Sequence, residues 1–180
     1  MVFEEKSISS KKIFEGKVIK VRVDEVAMPD GSTATREFVE HPGGVGVVAL
    51  TEDNEVILVK QYRKAVGAVI CEIPAGKLEP GEEHLTCGIR ELEEETGYKA
   101  KNFEYLGFIY PSPGFMDEKT HIYLATDLYP GKVNPDPDEY IDTFKMPLKE
   151  LEDKILNNEI KDAKTVVGVL KAVRILEKRI

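Results

Sequence analysis

Residues 76–98 read GKLEPGEEHLTCGIRELEEETGY, and the rest of the chain can be read outward from this stretch. Leu85, Ile89 and Leu92 recur at i, i+4 and i+7, which predicts an amphipathic helix from about Glu83 with that apolar stripe turned to a core. Gly97 stands where a helix end calls for a left-handed residue. At roughly 100° per residue, Glu91, Glu94 and Glu95 fall on one face, about a third of a turn from the stripe. Carboxylates this close repel one another unless cations neutralise them. Their hard oxygens suit Mg²⁺ or Mn²⁺, and Mg²⁺ is commonly shared between carboxylates and substrate phosphates. Taken alone, the glutamates are better read as the solvated acidic face of a good helix former.

The spacing decides between these readings. Gly76, Glu82, the triplet Arg90-Glu91-Leu92, the pair Glu94-Glu95 and Gly97 fill every fixed position of one motif, and Tyr98 takes a last slot that is more usually aliphatic. On these residues the chain resembles the Nudix hydrolases, enzymes that cleave a nucleoside diphosphate linked to another group. EIPAG at 72–76, Pro113 beyond the box and SPG at 112–114 resemble the ADP-ribose pyrophosphatase subgroup. The implied reaction is hydrolysis of ADP-ribose to AMP and ribose 5-phosphate. The same chemistry on another nucleoside diphosphate sugar or dinucleotide, or a non-catalytic ligand-sensing module, are the alternatives.

Composition narrows the field further. The chain has 180 residues, 42% hydrophobic and 32% charged, with a formal net charge of −8. That length suits one sizeable core, and the acidic balance argues against nucleic acid as a partner. Cys71 and Cys87 form no CxxC pair, which suits a reducing cytoplasm. The opening MVFEEKSISS carries no apolar signal core and no run approaches membrane-spanning length, so neither export nor a membrane partner is expected.

Around the box, the pattern predicts a polar lead-in with a short strand over 1–16, strands over 17–28 and 33–40 joined by the turn Pro29–Ser32, and strands over 43–50, 56–60, 69–73, 103–110, 120–126 and 141–146. Helices are expected over 148–157 and 164–178. This is an α/β or α+β chain. The resemblance implies the Nudix fold, a mixed sheet between helices. It divides the chain into an N-terminal β-hairpin extension, 1–42, which in relatives helps build a homodimer and part of the substrate site, and a hydrolase domain, 43–180.

Candidate site residues follow. Glu91 and Glu95, on adjacent turns of one face, are the first choices for metal ligands, with Glu94 a third. Glu82 either binds metal or orients another ligand. Arg90 is read as structural, pairing with an acid. The resemblance adds the carbonyl of Ala75 to the metal set. It places the general base on a loop outside the box, where Glu139 is favoured over Asp138, Asp136 or a box glutamate. It also matches Arg36 and Glu37 to an adenine-end pair and Arg63 to an arginine near the phosphates. Gly114 would let backbone amides approach a diphosphate. Phe38 and Phe115 are read as either base-stacking or core, and His41, His84 and His121 as scattered surface or packing residues.

Overall fold

The computed structural model describes residues 3–134 and 140–179, which form ten strands and three helices. By internal contacts the chain divides into two units, one holding residues through Gly43 with Tyr110–Lys119, the other Gly44–Ile109 with 120–179.

The first unit is a three-stranded antiparallel sheet of β1 (Lys6–Glu15), β2 (Lys20–Ala27) and β3 (Thr33–Glu40) in the order β1-β2-β3. The expected hairpin of β2 and β3 is present, and β1 extends it. Every residue of β1 is exposed, whereas Asp24 and Val26 of β2 are buried. KSISSKKIFE carries no one-sided apolar alternation, which is why its length escapes a reading based on periodicity.

The second unit is built on β4 (Gly44–Leu50), whose residues are all buried. Strands buried on both faces read as continuous apolar runs, and GVGVVAL is one. The sheet also contains β5 (Glu55–Arg63), β6 (Ala68–Glu72), β7 (Ala75–Lys77), β8 (Tyr98–Ile109), β9 (Thr120–Pro130) and β10 (Ile141–Pro147). Its main order is β10-β5-β4-β9-β8, with β6 paired to β5 and β7 to β4. β4 and β9 are parallel and the other named pairs antiparallel, so the sheet is mixed, as expected. Helix α1 (His84–Thr96) packs on one face over Val45, Val47, Ile57 and Tyr123. Helices α2 (Leu148–Leu156) and α3 (Ala163–Glu177) cover the other over Val48, Leu58, Ile122 and Leu124. Among the described residues no helix is long and apolar enough to cross a membrane.

Two elements differ from expectation. Beyond the strand expected over 69–73, Ala75–Lys77 form the further short strand β7, whose pairing with β4 gives Ala75 and Gly76 a fixed register against Gly46 and Val45. β8 begins immediately after Gly97, which caps α1 at φ 71° and donates its N–H to the Glu93 carbonyl.

A candidate acidic active site

Helix α1 is rotated relative to the expected stripe. Leu92 is fully buried, but Leu85 and Ile89 are 40% and 42% exposed. The buried arc is Cys87, Gly88, Leu92, Glu95 and Thr96. Gly88 is the reason. A Cβ there would stand 3.1 Å from Val45 and 3.4 Å from Val47, so its absence lets that side of the helix settle on β4. The rotation brings Glu95 into the arc, leaving it 4% exposed.

A buried carboxylate needs partners. Glu95 accepts a 2.9 Å hydrogen bond from the Ala75 N–H. Glu91 reaches the same segment: a Cβ on Gly76 would lie 1.8 Å from Glu91 Oε1. The box glycine is therefore required by a close approach of carboxylate to backbone. Glu91 and Glu95 both meet Ala75–Gly76, which β7 holds against β4.

Arg90 ties the remaining acids together. Its Nε and Nη2 donate to the two oxygens of Glu82 at 2.9 and 3.0 Å. Its Nη1 donates to Glu91 at 2.7 Å and to Glu94 at 3.0 Å. The guanidinium holds the Glu82 carboxyl down at about 2, well below the usual carboxylate range, and Arg90 is itself pushed up, chiefly by Glu82. Burial instead pushes the neighbouring Cys87 thiol up to about 12, so it stays protonated and unreactive. Among the described residues no three acid, imidazole or thiol side chains are gathered as a ready metal cage. The donor chemistry nonetheless fits a hard divalent cation: four carboxylates, three of them sharing one guanidinium and the fourth bonded to a backbone N–H.

Arg63 stands at the end of β5 in the same unit. Its Nε and Nη2 grip the two oxygens of Glu72 at 2.7 and 2.8 Å, leaving Nη1 outside the fork. Glu72 raises the Arg63 pKa, and the charge of Glu95 adds to that shift. The other substrate candidates belong to the first unit. Arg36 is engaged there by Glu5 through Nε at 2.8 Å and Nη2 at 2.6 Å. Glu37 lines a cavity of about 220 Å³ with Phe38 and Phe115. Phe38 also lies under the Arg22 guanidinium, 3.8 Å from its ring centre, and Phe115 is 53% exposed. Gly114 is exposed, and a Cβ there would face open space. Glu139, Asp138 and Asp136 lie outside the described residues.

Two groupings had no sequence signal. His84 and His121, read as scattered, stack with ring centres 4.2 Å apart, and His121 Nδ1 lies 2.8 Å from the Tyr105 hydroxyl. Glu72, only 2% exposed, also receives Lys164 from α3. Only the fold brings together partners so distant along the chain.

The fold and the acid-bearing helix define a Nudix enzyme. A NUDIX domain model matches residues 40–166 and a nucleoside diphosphate sugar hydrolase N-terminal domain matches residues 5–39, so the chain belongs to the Nudix hydrolase family. Its relatives include a methanol dehydrogenase activator of Bacillus methanolicus, 45% identical over 93% of this chain and 92% of that one. An ADP-ribose pyrophosphatase of Bacillus subtilis is 44% identical, covering 92% and 91%. An ADP-ribose pyrophosphatase of Mycobacterium tuberculosis is 38% identical, covering 91% and 81%. The crystal structure of an ADP compounds hydrolase superposes with a TM-score of 0.88 over 99% of this chain and 97% of that one; at 21% identity it shares the fold.

Proposed function

We propose that the protein hydrolyses the diphosphate bond of ADP-ribose, giving AMP and ribose 5-phosphate, with Mg²⁺ as the working cation and Mn²⁺ able to replace it. The observation that carries this reading is the meeting of Glu91 and Glu95 at the Ala75–Gly76 backbone, with Arg90 neutralising only part of the local charge. The ADP-ribose pyrophosphatases among the relatives support the substrate. When bound, a divalent cation lowers the pKa of a water and offsets phosphate charge.

The ligand set is Glu91, Glu95, Glu94 and the Ala75 carbonyl, with Glu82 at its edge. Arg90 keeps Glu82 ionised and orients Glu82, Glu91 and Glu94. Nη1 of Arg63, outside the Glu72 fork, is the donor for a substrate phosphate oxygen. Glu139 takes the proton from the attacking water. Arg36, Glu37 and Gly114 contribute to the adenosine and diphosphate contacts, and the cavity beside Glu37, Phe38 and Phe115 suits a planar base.

A homodimer is supported by β1, where Ile8, Ile13 and Phe14 are each more than half exposed. The two free cysteines support a cytoplasmic setting.

Incubation with ADP-ribose and Mg²⁺, followed by chromatography of the products, tests the reading. Wild type is expected to release AMP, and Glu95→Gln to lose more than about 100-fold in kcat, beyond the usual loss for an outer-shell partner. Wild type that binds ADP-ribose without releasing AMP would turn the assignment to a ligand-sensing module. The activator name of the Bacillus methanolicus relative favours keeping that second reading in view. Faster turnover of another nucleoside diphosphate sugar or dinucleotide in a substrate panel would change the substrate and leave the chemistry.

A further inference from the structure

Residues 72–76 are held by several elements, and two of the contacts come from a helix with no part in the box. The Glu72 carboxylate accepts from Arg63 through both oxygens, and its Oε2 also accepts from Lys164 Nζ. The Ile73 N–H donates to Thr165 Oγ1 at 2.8 Å. The Pro74 carbonyl accepts from the Val47 N–H at 2.9 Å. The Ala75 N–H donates to Glu95. Lys164 and Thr165 lie in the first turn of α3, whose N-cap is Asp162. Asp162 accepts from the Thr165 N–H at 3.0 Å and from Lys164 Nζ at 3.1 Å. The stem of Lys164 runs past Gly46, where a Cβ would stand 3.5 Å from its Cδ, so the chain is steered as well as charged.

We propose that Lys164 is a positioning residue for the diphosphatase site, fixing the Glu72 carboxylate so that the Arg63 guanidinium is held edge-on with Nη1 presented to a substrate phosphate. Glu72 is 2% exposed and Arg63 is 40% exposed at its side chain, so the carboxylate is the buried anchor and the arginine its outward arm. One carboxylate oxygen is shared by two cations. Without Lys164, Glu72 loses its second tether, and the plane of its carboxylate, which sets the plane of the fork, is no longer defined by α3. This inference rests on the reading of Arg63 as a phosphate contact.

The test is a double-mutant cycle on the full chain, with AMP release from ADP-ribose followed at saturating Mg²⁺. Lys164→Met is expected to raise KM roughly tenfold, the lower range for loss of an outer-shell partner, while kcat stays within about twofold. Lys164→Arg restores most of that loss. In an Arg63→Ala background, itself raised in KM, Lys164→Met adds less than about twofold, because the arm it positions is gone. Equal KM increases with and without Arg63, or a loss of thermal stability with KM unchanged, would overturn the positioning role and leave Arg63 as a phosphate contact. An unchanged KM in Arg63→Ala would instead remove the reading of Arg63, and this inference with it. Should Lys164→Met not fold, Lys164→Ala, which likewise removes the donor to Glu72, is carried through the same cycle with the same criteria.

Discussion

On α1 and its approach, one guanidinium serves three carboxylates while a fourth, Glu95, leans on a backbone N–H. At the first turn of α3, two cations, Arg63 and Lys164, serve two carboxylates, Glu72 and Asp162. Both clusters are built from basic side chains and carboxylates, and each includes one buried carboxylate, Glu95 or Glu72. Their balance separates them. In the α3 cluster two cations meet two carboxylates, and the buried Glu72 holds Arg63 in place. In the α1 cluster one guanidinium is shared by three carboxylates, an arrangement to which a divalent cation would add balancing charge. The ratio of cations to carboxylates within each hydrogen-bonded group thus separates a self-balanced group from one that a divalent cation would suit.

Gly76→Ala breaks the contrast most severely. The new Cβ would occupy the space of Glu91 Oε1, and either the carboxylate or β7 must move. Activity is expected to fall roughly 100-fold, as for a displaced ligand, with an overpacking cost of about 1–3 kcal/mol visible in thermal unfolding. Wild-type AMP release from this variant would separate Glu91 from the chemistry.

Arg90→Met sharpens it. Removing the guanidinium strips charged hydrogen bonds from Glu82, Glu91 and Glu94, and should cost about 1.5–3 kcal/mol of stability in a chelator. Added Mg²⁺ should recover a good part of that loss, since a cation that binds the native state alone stabilises it. Glu72→Gln should lose stability too, with no selective recovery by Mg²⁺. Equal recovery in both variants, read by scanning calorimetry, would erase the distinction between the clusters.

The smallest effect concerns acid. The folded-state pKa of Glu82 lies at about 2, below its ordinary value of 4.5. Its contribution to stability is therefore full above about pH 4.5 and lost as the pH falls towards 2. Glu72 is displaced in the same direction: burial raises it, but its bonds to Arg63 and Lys164 more than offset that. Glu82→Gln should flatten the pH dependence of urea unfolding over the Glu82 window. An unaltered slope would mean that Arg90 does not hold Glu82 in solution.

Where local chemistry fixes a position, the sequence was a sufficient guide. Gly97 as the helix cap and the apolar run of β4 were legible, because each depends on neighbours along the chain. Arg90 could be read as a partner for acids, but not as the partner of three. The burial of Glu95 was not legible: helical periodicity assigned the core to Leu85 and Ile89, and the missing side chain of Gly88 turned the helix. The tie from Lys164 to Glu72 was equally hidden, since it spans 92 positions and lysine on a helix ordinarily signifies solvent. β1 was underestimated because a strand exposed on both faces has no period to detect.

The pairing of Gly44–Ala49 with Thr120–Ala125 is parallel, and the entire acidic box lies in the chain between those strands. Closing so long a loop precedes any reward from contact, which makes such pairings slow to form. A nascent chain that has emerged only as far as Gly114 therefore carries every box glutamate but lacks Tyr123 and Ala125 of the bed on which α1 rests. Catalytic competence is a late acquisition in the life of each molecule, and substitutions that weaken β9 should reveal themselves first as poor yield of active protein, before any defect in the enzyme that does mature.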